Sequence, residues 1–229
     1  MFQMALEAGI HPRSFVDRNI GMFQLPPTPA STPAPSSIGT SGCSTYSWPM
    51  RADDVRALFD FTYWADREVL TAAAALPDEA FIRPIDFTYR NLQGTLVHTL
   101  DVERSWRSRL RGEPKDVWDA AQPVDDYPTA AVLRAAWSRD EAEMRSWLDS
   151  LTDDDLGTVI DLGDADRFPL WFYLVHIVTH SEQQRRDAQL ILEHLGHPPP
   201  DLEFLYYADS LASAPGANDV RSADPPGVD

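Results

Sequence analysis

PLWFYLVHIVTHSEQQRRDAQLILEHLGHP, residues 169–198, is the stretch that decides the fold. Pro169 suits a helix start, where its missing N–H would have no partner anyway. Leu195-Gly196-His197-Pro198 reads as the stop. Glycine takes the left-handed cap conformation, and the proline beyond it cannot continue the helix. Between these two signals lies one long, largely apolar helix. His176 and His180 are four apart in it and project from one face, and Gln184 extends that row by another turn.

Working outward, three more helices of similar length appear. Asp53 or Asp54 caps a first helix running to about Leu76, where Pro77 stops it. Val55, Leu58, Phe59, Thr62, Tyr63, Val69 and Leu70 recur in it near the helical period. Asn91 opens a second, with Leu92, Leu96, Val97, Leu100 and Trp106 on one side, ending at Gly112. Pro128 fits the first turn of a third, whose apolar positions are Val132, Leu133, Ala136, Met144, Trp147 and Leu148. Of its two tryptophans, Trp147, beside Leu148 and Leu151, is expected to be more buried than Trp137. Thr152 and Asp155 form a capping-box pair for a short turn. Only residues 157–167 suggest a short extended excursion. Four long helices without a convincing strand pattern predict an all-α four-helix bundle.

Composition sets limits on function. The chain has 229 residues, of which 43% are hydrophobic and 24% charged, enough for a real core. Its 36 acids against 19 bases leave a net charge of −17. That balance disfavours nucleic acid, since phosphate binding needs a basic face, and disfavours anionic membrane surfaces as well. Lys115 is the single lysine, so nearly all positive charge is guanidinium, suited to fixed ion pairs and anion recognition. A single cysteine, Cys43, excludes an intramolecular disulfide and a cysteine-rich zinc site.

The acidity is not evenly spread. Residues 1–49 carry two acids and two bases and, from Leu25, a Pro/Ser/Thr-rich string that reads as a disordered leader. It reads equally as sequence upstream of a true start at Met50. Residues 211–229 read as a disordered acidic tail. Residues 50–210 hold the remaining 31 acids and 16 bases, so the charge belongs to the folded part. Glu7, His11, Arg13 and Asp17 break any secretory signal core, and the expected location is cytoplasmic.

Three of the six histidines are candidates for chemistry. His11 lies in the leader, while His194 and His197 read as helix-terminal residues interacting with the dipole. His98 lies mid-helix on the apolar side of the second helix, and His176 and His180 share a face of the fourth. Imidazoles converging from different helices can hold zinc, nickel, copper or iron. Equally, mid-helix histidines can be hydrogen-bonded core residues, and spacing alone does not separate the two readings. Trp64 and Tyr63 are read as core aromatics before pocket lining. Asp66 and Arg67 are read as a surface pair of little energetic weight, and the remaining helix-face charges as solvated.

Four stretches together carry a resemblance: LFDFTYWADREVL (58–70), NLQGTLVHTLDVERSWRSRL (91–110), LVHIVTHSEQQRR (174–186) and LGHPPPDLEFLYY (195–207). In order and spacing the chain from Met50 to Tyr207 resembles the DinB/YfiT-like family of four-helix metalloenzymes. The resemblance implies an up-down-down-up bundle and a divalent metal, zinc or nickel, on three histidines. One comes from the second helix and two, in an H-x-x-x-H pair followed by arginine, from the fourth. His98 matches the second-helix ligand, His180 the first of the pair and Arg185 the following arginine. Gln184 stands where the third histidine belongs, and an amide oxygen is a much weaker zinc or nickel ligand. Gln184 or a water fills that place, or His176 turns in from one turn earlier, or the metal is lost. Asp101, three residues after His98, is expected to orient its imidazole.

By the same resemblance the chain is a metal-dependent enzyme, most concretely a thiol S-transferase, isomerase or hydrolase acting on a small molecule. Relatives use bacillithiol, mycothiol or glutathione, which implies a low-molecular-weight thiol as co-substrate, and they pair as homodimers. Arg185, or Arg185 with Arg186, would position an anionic group as the catalytic arginine. The alternative is a metal-free family member serving as a small-molecule-binding or protein-interaction module, with the missing third histidine as its support.

Overall fold

A computed structural model describes residues 50–163 and 166–213. The expectations for the leader 1–49, and for the acidic tail from residue 214 on, lie outside the described residues. Helices dominate. In chain order they are α1 (Ala52–Ala74), α2 (Asp78–Phe81), α3 (Leu92–Leu110), α4 (Lys115–Trp118), α5 (Ala130–Asp149), α6 (Asp153–Gly157), α7 (Leu170–His194) and α8 (Phe204–Ala212). Strands β1 (Val159–Asp161) and β2 (Arg167–Pro169) pair antiparallel, with Ile160 opposite Phe168; β1 falls inside the segment 157–167 expected to be extended, and β2 starts at its last residue. Among the described residues no helix is long and apolar enough to cross a membrane.

Local chemistry explains the boundaries. The Asn91 side chain accepts from the Gly94 N–H, and Thr129 and Thr152 cap α5 and α6 in the same way. Pro128 therefore sits just outside α5 instead of in its first turn. Asp54 reaches back to the Arg51 N–H at 3.1 Å, so α1 begins earlier than a cap at Asp53 or Asp54 would place it, with Arg51 as the cap. Gly112 and Gly196 have φ of 74° and 80°, a conformation that costs glycine little. At the second, His197 N–H donates to Leu192 C=O at 2.9 Å and Gly196 N–H to Glu193 C=O at 3.1 Å. That pair of bonds is the Schellman ending of α7. Helix α8 was not foreseen: three prolines precede it, and it continues past residue 210, the expected end of the folded part.

The four long helices pack in a ring, α1 on α7, α7 on α3, α3 on α5 and α5 on α1. Two apolar clusters fill it. One contains Val69, Leu70, Leu96, Leu133, Trp137 and Ile191. The other contains Phe59, Val102, Trp106, Met144, Leu174 and Ile177. The tryptophan expectation is reversed, with Trp137 only 3% exposed and Trp147 merely packed against the second cluster. The buried positions of α5 are 130, 133, 137, 140, 144 and 148, a stripe at helical spacing. Trp147, adjacent to Leu148 in sequence, is turned 100° away from it.

Candidate functional site

Between the two apolar clusters the helices contribute a layer of buried polar side chains. Tyr63 of α1 hydrogen-bonds Glu103 of α3 across the bundle. Arg107 of α3 pairs with Asp140 of α5 at 2.5 Å and reaches Glu143 at 2.8 Å. Arg185 of α7 pairs with Asp66 of α1 at 2.8 Å and with Glu182 at 2.5 Å, its guanidinium lying 5.4 Å from the centre of the Phe61 ring. Two arginines thus serve Asp66 and Asp140, and Glu103 is left with a phenol. Burial first, and the nearby Asp140 charge second, push the Glu103 carboxyl up to about 8. The same burial raises the Tyr63 hydroxyl well above its ordinary value.

His98 and His180 meet beside this layer, with ring centroids 5.3 Å apart in an edge-on arrangement. Both are buried. Burial pushes His98 down to about 3 and His180 down to about 4, with the Arg90 charge adding to both. Both imidazoles are therefore neutral at ordinary pH. His180 Nδ1 is one of four buried side-chain polar atoms with no hydrogen-bond partner among the described residues. The others are Asp66 Oδ2, Asp140 Oδ2 and Trp137 Nε1. A buried ring nitrogen without a protein partner calls for an explanation, such as a water or an ion.

The other expected members of the site are placed differently. The His176 ring lies 6.4 Å from that of His180, but it is exposed and stands edge-on to Trp106 at 5.2 Å. Gln184 is half-buried, one turn beyond His180. Asp101 is buried and accepts from the Gln122 N–H at 3.0 Å, tying the segment after α4 to α3, and burial raises it to about 6. Arg185 is 2% exposed and its charge is balanced by Asp66 and Glu182, so the structure gives it the work of joining α7 to α1. The Asp66–Arg67 surface pair does not form: Asp66 is interior with Arg185, while Arg67 reaches Glu141 at 2.9 Å. Among the described residues no group of three or more His, Cys, Asp or Glu side chains is arranged to hold a metal.

Sequence reading missed Glu103, Arg107 and Asp140 as interior groups, taking helix-face charges as solvated. One signal was available. Asp140 is seven residues after Leu133 and four before Met144, in register with the apolar stripe. Arg90 was also missed, because it precedes the helix and belongs to no periodic pattern.

The family model described as DinB family matches residues 50–217. A DinB-like protein from Bacillus cereus ATCC 10987, known from a 2.01 Å crystal structure, is 16% identical, with a TM-score of 0.49. The match covers 67% of this chain and 98% of that one. No curated protein matches the chain.

Proposed function

Since the chain belongs to the DinB family, we propose that His98 and His180 form the reactive centre of a metal-dependent enzyme acting on a small molecule, with Gln184 completing the ligand set. The buried, unpartnered Nδ1 of His180 beside His98 carries this reading. Both imidazoles keep their lone pairs down to pH of about 4, so protons do not compete for them under ordinary conditions. A zinc or nickel ion bound there supplies Lewis acidity, lowering the pKa of a thiol or water so that the nucleophile forms near neutrality. Thiol S-transfer, isomerisation and hydrolysis all fit that chemistry.

The long helices fit the up-down-down-up order in their contacts. Asp60 pairs with Arg145 and Arg67 with Glu141, so α1 runs against α5. Gln93 meets Tyr127 and Arg107 meets Asp140, so α3 runs with the α5 segment. His98 meets His180 and Trp106 meets His176 and Tyr173, so α3 runs against α7.

A second reading has its own support. His176 lies against Trp106 instead of completing the pair, which leaves two imidazoles and favours a metal-free binding module. Cobalt(II) titration separates the two readings. The metalloenzyme gives a saturable ligand-field spectrum at one ion per chain, abolished by His98→Ala and by His180→Ala. Absence of that spectrum from the unmodified protein favours the binding module.

A further inference from the structure

The arginines of the interior layer are committed to carboxylates, and Arg90 is not. It stands immediately before Asn91, the cap of α3, and is half-buried. Its stem lies along the first turn of that helix: a Cβ placed on Gly94 would meet Arg90 Cβ at 3.4 Å and Cδ at 3.7 Å. Gly94 is one turn before His98, so the two share a helix face, and the stem of Arg90 runs along the face that carries the imidazole. The guanidinium carbon lies 4.8 Å from the centre of the Tyr89 ring. The charge of Asp187 acts on it, but no carboxylate of the described residues forms an ion pair with it, in a chain holding 36 acids to 19 bases. Its positive charge reaches both imidazoles, and burial lowers its own pKa.

We propose that Arg90 is the anion anchor of the His98–His180 site, and that the site takes a small substrate bearing a carboxylate. This rests on the reading of the two histidines as the reactive centre, though not on a metal being bound there. A planar guanidinium matches a carboxylate with two parallel hydrogen bonds. One cation beside two neutral imidazoles balances a single negative charge, which suits a carboxylate better than a phosphate dianion. A half-buried guanidinium with no carboxylate in contact has lost part of its hydration, and a bound anion in contact restores the balance. The anion-positioning role that the sequence suggested for Arg185 thus passes to Arg90, just ahead of α3.

The test uses metal-free full-length protein, with benzoate as the probe and benzyl alcohol as its neutral counterpart at fixed ionic strength. Histidine ring resonances of His98 and His180 are followed by heteronuclear NMR. Benzoate should shift both saturably and bind at least tenfold more tightly than the alcohol. Arg90→Gln should remove that preference, Arg90→Lys should keep part of it, and exposed Arg83→Gln should match the unmodified protein. Equal binding of the two probes, no saturable shift, or full benzoate binding in Arg90→Gln each overturns the anchor. If Arg90→Gln does not fold, the lysine variant and the two-probe comparison decide. Charge preference without cobalt binding upholds the anchor and removes the metal. Cobalt binding without charge preference does the reverse.

Discussion

At the scale of single residues, position 184 decides how much of the family's metal chemistry survives. Gln184 is one turn beyond His180 and half-buried, so an imidazole there would share the face of His180. Gln184→His should tighten zinc or nickel by at least tenfold, about 1.4 kcal/mol, because imidazole replaces a weak amide oxygen. His176→Ala should cost little, since His176 packs on Trp106. Competition with a chromogenic chelator measures both, and a loss of binding in His176→Ala would show that its ring turns in. The His98–His180 pair was legible because helical spacing and family order pointed to the same residues. The partners of Asp66 and Arg185 were not legible. They are far apart in sequence, and only the fold shows that they share an interior layer.

At the scale of elements, caps and stops were readable because each is a local event: an asparagine accepting from the third N–H, or a glycine at φ of 80°. The charge on helix faces was not, because sequence gives the direction a side chain leaves its helix but not what waits there. The Arg107–Asp140 pair shows the consequence for stability. Both partners are buried, so Asp140→Ala strands a guanidinium and should destabilise by roughly 3–5 kcal/mol. Glu143, which also reaches Arg107, should bring the cost to the lower end. Arg107→Met combined with Asp140→Leu should recover most of the loss, since burying two ions costs about as much as their attraction returns. Chemical denaturation of Arg107→Met, Asp140→Leu and the double variant closes the cycle. A double variant as unstable as the worse single one would mean that the pair is needed to hold α3 against α5.

At the scale of the whole molecule, the buried layer sets how stability depends on pH. In metal-free protein the two imidazoles have folded pKa values of about 3 and about 4, below the free value of 6.5. The unfolded chain therefore takes up more protons than the folded one as pH falls below 6.5, and stability drops. Glu103 acts in the opposite sense. Its folded pKa of about 8 lies above the free value of 4.5, so between those values the folded state holds the extra proton. Its contribution is fully present below pH 4.5 and is lost as pH rises toward 8. Asp101, raised to about 6, and Asp66 and Asp140, both raised by burial, add to the same trend. Between pH 6.5 and 8 the proton on Glu103 alone amounts to roughly 2 kcal/mol. The melting temperature should therefore decline from pH 6.5 to 8 in the unmodified protein. Glu103→Gln keeps the shape and the hydrogen bond to Tyr63 but has no proton to lose, so its melting temperature should decline less across the same interval. Parallel declines in the two proteins would mean that Glu103 is ionised throughout and that the alkaline loss comes from the repulsion of 17 excess negative charges. Added salt would then restore the loss equally in both.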